Sequence, residues 1–216
     1  MKADSDPESA FIPPRLDDSA ALWVIRHGET EWSKAGRHTG RTDLELTEAG
    51  RAQAVALGGM LAQVRPVLVL CSPRRRALET ARLAGIEVDD VDDDLAEWDY
   101  GDYEGRTAAS IRADVPGWTL WTHGVPHGET AAQVSRRADR VLLRAAGELD
   151  RGPVILVAHG HISRVMAARW IGLPATGGAN LALSTAAPSV LGAQYGLPVI
   201  DRWNIPNPAN GNGGSR

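Results

Sequence analysis

The sequence predicts an α/β protein, a three-layer α/β/α sandwich around a mostly parallel central sheet, and three observations lead there. Short apolar runs at residues 20–25, 67–71 and 154–158 have the length and composition of buried strands. Each is followed by a segment whose apolar residues recur at helical spacing. Strand alternating with helix is the pattern of parallel strands covered on both faces. At 216 residues the chain suits one domain, which would hide about 70% of its unfolded surface on folding.

Taken in order, residues 1–18 are polar, Pro-bearing and mostly acidic, without the basic start and apolar core of a secretory signal. They read as a disordered tail on a cytoplasmic protein. The first strand follows. Thr47 caps a helix whose apolar positions Ala52, Val55, Ala56, Gly59 and Met60 recur at three and four, with Pro66 marking its end. The second strand ends in Cys71, the only cysteine, which excludes an intramolecular disulfide and reads as a small buried hydrophobe. Ser72 reads as the cap of the next helix, with Pro73 at its first position. Thr130 caps a helix with the stripe Val134, Ala138, Val141, Leu142, Ala145 and Leu149, which closes near Gly152-Pro153. The third strand leads into a helix carrying Ile162, Val165, Met166 and Trp170. Runs at 189–195 and 199–203 form a closing hairpin turned at Gly196-Leu197-Pro198. Residues 206–216, rich in Asn and Gly, read as a second disordered tail, which leaves a single domain over 19–205.

Composition narrows the function. Apolar residues make up 43% and charged residues 23%, with no apolar run near the ~20 residues a membrane span needs. A net charge of −4 repels a polyanion, so neither a membrane nor a nucleic acid is the expected partner. His and carboxylate positions fall at no metal-ligand spacing, and no nucleotide-binding glycine loop is present, so no cofactor is expected.

Three strands end in groups suited to chemistry: Arg26-His27-Gly28, Ser72-Pro73 and His159-Gly160. In parallel sheets ligands bind at the carboxyl ends of strands, so these distant groups converge.

The extended string Arg26-His27-Gly28-Glu29-Thr30 resembles the signature of the histidine phosphatase (phosphoglycerate mutase-like) superfamily. Further matches follow in the family's order: residues 36–43 with Leu46-Thr47-Glu48-Ala49-Gly50, then residues 71–81, whose Ser-Pro-x-x-Arg pattern picks Arg76 from three consecutive arginines. The acid loop at 95–105, Gly128-Glu129-Thr130 and Ala158-His159-Gly160 complete the set, which spans about residues 20 to 170. The resemblance implies a phosphoglycerate mutase-like fold and a phosphoryl group carried covalently on His27.

The residue types suit that chemistry. A phosphomonoester is an anion, so the attacking group does best if it is uncharged yet nucleophilic near neutrality, as imidazole is. The resemblance implies a backbone carbonyl beside Gly28 that fixes the ring of His27. Charge spread over three phosphoryl oxygens calls for fixed donors, and Arg26, Arg76 and His159 are assigned to that cup with Ser72 and Gly160 beside it. Glu97 is the candidate general acid, with its protonated form favoured by the substrate phosphate and by Asp92, Asp93 and Asp94. His38, Thr39 and Tyr100 are expected to touch the substrate body, by analogy with the branch containing sedoheptulose-1,7-bisphosphatases and bacterial acid phosphatases, which residues 30–36 and 97–105 resemble. Trp98, Trp118 and Trp121 either wall a pocket or pack the loop. Arg74 and Arg75 read as solvated helix residues, and Arg137 as an ion-pair partner outside the site.

In phosphoglycerate mutases the glutamate is followed by Arg-His-Tyr-Gly, whereas here Glu97 precedes Trp98-Asp99-Tyr100-Gly101. This departure favours a metal-independent phosphatase acting on a small phosphate ester, with sugar phosphates or a broad acid phosphatase range expected. Mutase-type transfer and a dedicated sedoheptulose-1,7-bisphosphatase are the alternatives, and a homodimer is compatible with the sequence.

Overall fold

The structure, a computed structural model, describes residues 15–210. Its strands are β1 (Ala21–Arg26), β2 (Leu68–Cys71), β3 (Asp90–Val91), β4 (Val154–Ala158), β5 (Pro188–Gln194) and β6 (Leu197–Arg202). Its helices are α1 (Glu31–Lys34), α2 (Glu48–Met60), α3 (Arg75–Leu83), α4 (Ala108–Asp114), α5 (Leu120–His123), α6 (Ala131–Ala146) and α7 (Gly160–Trp170). The strands form one sheet in the order β3-β2-β4-β1-β5-β6. β1 and β4 pair in parallel, as do β4 with β2 and β2 with β3, while β5 and β6 are added antiparallel at the β1 side.

Successive side chains of a strand point to opposite faces, and here both faces are apolar. Leu22, Val24, Leu70, Val154, Leu156 and Ala158 face one core, shared with Val134, Ala138, Val141 and Leu142 of α6 and Ile162, Val165 and Met166 of α7. Ile25, Val69, Cys71, Ile155 and Val157 face the other, against Leu57 of α2 and Ala77 and Ala81 of α3. Helices therefore cover the sheet on both sides, the expected three layers.

The caps set where the helices begin. Thr47 accepts from the Gly50 backbone nitrogen at 3.0 Å. Thr130 accepts from Gln133 at 3.2 Å while the Gln133 side chain takes the Thr130 backbone N–H at 2.8 Å, a closed capping box. The start of α2 lies against the loop after β1. A Cβ on Gly28 would fall 2.5 Å from the Gly50 carbonyl oxygen, and one on Gly50 2.1 Å from that of Glu29, so only glycine at both positions allows this approach.

Several expectations are corrected. Ser72 is not a helix cap: its hydroxyl stands 2.6 Å from His159 Nε2, Pro73 and Arg74 continue past it, and α3 begins at Arg75. The hairpin turns at Tyr195-Gly196, both with positive φ, and Leu197 and Pro198 are already strand. Pro198 is tolerated because β6 is an edge, where a missing N–H interrupts no ladder. β3 was not expected, since two exposed residues in an acidic stretch carry no apolar signal.

The expected tails overlap the described chain at both ends. Leu16 is buried in the larger core, and Asn207 is buried with its amide donating to the carbonyls of Gln53 and Ala186 at 2.9 and 3.0 Å. Packing thus reaches past the boundaries at 19 and 205. The disorder expected of residues 1–14 and 211–216 lies outside the described residues. Among the described residues no helix is long and apolar enough to cross a membrane.

Candidate active site

The carboxyl ends of β1 and β4 are hydrogen-bonded neighbours, and the His27 backbone nitrogen donates to the Ala158 carbonyl at 3.0 Å. This register places the two expected histidines side by side, with ring centroids 5.1 Å apart. His27 Nδ1 lies 2.7 Å from the Gly28 carbonyl. A carbonyl oxygen only accepts, so Nδ1 carries the ring hydrogen and Nε2 keeps its lone pair. Burial, and then the guanidinium charges of Arg76 and Arg26, hold the His27 pKa well below the ordinary value, against the pull of the Gly28 carbonyl and Glu97. The ring is neutral at pH 7.

His27 opens on a cavity of about 180 Å³ whose wall includes Arg26, Glu97, Tyr100, Gly160, His38 and Thr39, all expected from sequence. Ser33, Gly36, Arg37, His161, Arg164 and Leu183 complete the wall. A wider depression of about 450 Å³, around Asp43, Arg75 and Arg82, holds none of the expected residues. Arg26 donates from Nη1 to the Leu183 carbonyl at 2.5 Å, but its Nε is buried without a partner among the described residues. A buried donor left unpaired costs about 1–3 kcal/mol, and an anion entering the cavity would relieve that cost.

Arg76, Ser72 and His159 are brought to the same place but do not line the cavity; all three are fully buried. Arg76 Nε donates to His159 Nδ1 at 3.1 Å, so Nδ1 is the acceptor and Nε2–H points to Ser72. The remaining Arg76 donors take the carbonyls of Thr42, Thr39 and Gly40 at 3.0 to 3.3 Å. The loop that offers these carbonyls is held by Glu104, whose carboxylate accepts from the backbone nitrogens of Gly40 and Thr42 at 2.9 to 3.0 Å. Burial and the Arg76 charge depress the His159 pKa well below 6.5.

Glu97 lies at the amino end of α7, where unpaired backbone N–H groups favour an anion. Its Oε2 accepts from the His161 nitrogen and its Oε1 from those of Ile162 and Trp98, each at 2.9 Å. Burial pushes this carboxyl up, but its contacts with His161, the backbone N–H among them, outweigh that and hold it well below the usual carboxylate range. The expected help from the neighbouring aspartates is absent. Asp94 pairs with Arg140, and Asp92 and Asp90 with Arg144, on the outer side of α6. Their charge is spent on these arginines rather than on Glu97.

The acid loop is fixed from behind by Arg137, which was not expected in the site. It holds the Glu129 carboxylate at two points and donates to the carbonyls of Asp94 and Ala96, while Glu129 accepts from the Asp99 nitrogen and, through its carbonyl, from Trp98 Nε1. Trp98 and Trp118 are buried and pack the loop, with Trp118 Nε1 donating to the Gly124 carbonyl. Trp121 sits edge-on to Trp98, with its ring centroid 5.4 Å from that of His161.

His161, beside Glu97 in the cavity wall, is the residue that sequence reasoning missed. It sits two residues past His159, on the first turn of the helix that receives Glu97, and only the histidine itself hinted at it. Among the described residues no group of three or more His, Cys, Asp or Glu side chains is placed to hold a metal ion.

Comparison with known proteins agrees with this geometry. The family model of the histidine phosphatase superfamily (branch 1) matches residues 22–206. The chain is 47% identical over 192 residues to an acid phosphatase of Mycobacterium tuberculosis, covering 87% of this chain and 95% of that protein. It is 35% identical to the sedoheptulose 1,7-bisphosphatase of Saccharomyces cerevisiae, over 69% of this chain and 67% of that one. Among solved structures, that of the Mycobacterium tuberculosis open reading frame Rv3214 superposes with a TM-score of 0.85 at 44% identity, covering 87% of this chain and 98% of that one. Site, fold and sequence converge: the chain belongs to the histidine phosphatase superfamily, branch 1, and is a phosphoric monoester hydrolase.

Proposed function

We propose that the protein hydrolyses small phosphomonoesters, sugar phosphates among them, through a phosphohistidine on His27 and without a metal ion. One observation carries the reading: Nδ1 of a neutral His27 is tied to the Gly28 carbonyl, which leaves Nε2 bare on a cavity beside the unpaired Nε of Arg26. In the first step Nε2 forms a bond to phosphorus while the ester P–O bond breaks, and Glu97 protonates the departing alkoxide. In the second, a water attacks phosphorus, its proton passes to Glu97, and the bond to His27 breaks to release phosphate. Arg76 and His159 serve the transferring group by exchanging the Thr39, Gly40 and Ser72 oxygens for phosphoryl oxygens, which are stronger, charged acceptors. A cavity of about 180 Å³ supports a small substrate body, touched by His38, Thr39 and Tyr100.

Rapid-quench labelling with a ³²P ester tests this. Acid-labile, base-stable label should appear on His27 within one turnover, EDTA should leave the rate unchanged, and His27→Ala should lower it by more than about a thousandfold. Equal phosphate release by His27→Ala would overturn the reading. A panel of sugar phosphates, bisphosphates and phosphoglycerates then ranks substrates, with a hundredfold preference, about 2.7 kcal/mol, marking a dedicated enzyme.

A further inference from the structure

Beside Glu97 stands a second group that the two-step scheme leaves without a role. His161 Nδ1 lies 3.8 Å from Glu97 Oε2 and 2.7 Å from the Tyr100 hydroxyl. Tyr100 is buried, and its phenol, pushed well above its ordinary pKa by that burial, keeps its proton. The hydroxyl donates to a neutral His161, so the bare nitrogen of that ring is the one facing Glu97. Both side chains line the cavity, and that of His161, 20% exposed, is more open to solvent than that of Glu97, at 6%.

We propose that His161, oriented by Tyr100, is a positioning residue that exchanges a proton with Glu97 on each turnover. The inference rests on the phosphohistidine reading, because it explains how a carboxylate that the site keeps ionised becomes a general acid. A phosphate dianion entering the cavity favours proton uptake by the pair. Once the ring turns from Tyr100 to close the 3.8 Å gap, the proton taken up on His161 Nδ1 passes to Glu97 Oε2: the N–H bond breaks, the O–H bond forms, and both partners become neutral. The Tyr100 hydroxyl turns from accepting the Nδ1–H to donating to the bare nitrogen. Glu97 then gives that proton to the alkoxide. After hydrolysis Glu97 holds a proton taken from water, and departure of phosphate returns it through Nδ1 to solvent.

The surroundings suit a proton that does not stay. Burial, Arg164 one turn along α7 and Arg26 from the end of β1 lower the affinity of His161 for a proton, while Glu97 raises it. His38, whose ring centroid is 5.9 Å away, is the other titratable group facing it, and the two disfavour each other's charge. Trp121 closes the remaining side with an uncharged ring.

Leaving-group dependence tests the proposal. An alkyl phosphate needs its alkoxide protonated, whereas p-nitrophenolate leaves unaided. In His161→Asn, turnover of glycerol phosphate should fall about tenfold or more and that of p-nitrophenyl phosphate less than about threefold. The alkaline limb of the kcat profile for the alkyl ester should shift as well. Tyr100→Phe, which frees the ring without removing it, should show the same pattern more weakly. In Glu97→Gln, adding His161→Asn should change nothing further. Equal losses on both esters, or losses that multiply with Glu97→Gln, would overturn the proposal, and if His161→Asn fails to fold, an unselective loss in Tyr100→Phe overturns it instead. His27→Ala separates the two ideas: activity retained there sinks the phosphohistidine reading, whereas an inactive His27→Ala alongside an unselective His161→Asn sinks the relay alone.

Discussion

The Arg137 guanidinium and the Glu129 carboxylate meet at two points, Nε to Oε1 at 2.8 Å and Nη2 to Oε2 at 2.9 Å, with the arginine side chain 9% exposed. The third arm of the guanidinium takes the carbonyls of Asp94 and Ala96, the latter immediately before Glu97. Arg137→Met keeps the volume but strands the Glu129 charge and two carbonyl acceptors. Unfolding in denaturant should show a loss of about 3 kcal/mol, and kcat should fall about tenfold or more as Glu97 drifts. Unchanged stability would refute the brace.

Acid should weaken the fold in a defined window. His27, His159 and His161 have folded pKa values below 6.5, and His38 is lowered to about 4. Below pH 6.5 the unfolded chain binds protons that the folded one refuses, so stability falls as pH drops from about 6.5 towards 4 and levels off near pH 7. Each such histidine contributes a slope of about 1.4 kcal/mol per pH unit. Glu97, depressed below 4.5, adds to the loss in the same direction below that pH. Denaturant midpoints at pH 7, 6 and 5 check this, and His38→Gln should reduce the slope by one proton. A flat profile between pH 7 and 5 would contradict it.

The same depression has a catalytic side. On the proposed reading, a His27 whose pKa lies well below 6.5 keeps its lone pair where an ordinary histidine becomes charged. On that reading the rate of His27 phosphorylation, followed by rapid quench, should show no decline centred near pH 6.5, and such a decline would exclude a depressed His27.

Ser72→Ala removes the partner of His159 Nε2, 2.6 Å away in a fully buried setting. The cost expected is about 2 kcal/mol, since an N–H is left unsatisfied, together with slower phosphorylation of His27 as the second ring loses its orientation. A helix cap would give a similar loss of stability but leave phosphorylation intact.

Much of this was legible in the chain itself. The runs behind β1, β2 and β4 are apolar on both faces, so they read as buried strands, and the residues at their carboxyl ends are the ones the fold gathers. Thr47 and Thr130 announce α2 and α6 because capping is local chemistry. What escaped depends on contacts made across the fold. Ser72-Pro73 has the local form of a cap, yet a histidine 87 residues away takes the hydroxyl. Asp92 and Asp94 read as neighbours of Glu97 in sequence, while in space they face the arginines of α6. His161 follows its motif by a single residue, and its meaning appears only once Glu97 and Tyr100 are folded against it.

Asn207 ties the end of the described chain to the Gln53 carbonyl of α2, and the Gln53 side chain in turn accepts from the Glu29 nitrogen, two residues from His27. Anyone shortening the protein for a fusion or for crystals has less to spare than the run of Asn, Pro and Gly invites. A cut ahead of Asn207 would loosen the loop that carries His27, whereas trimming after Asn210 leaves that tether whole.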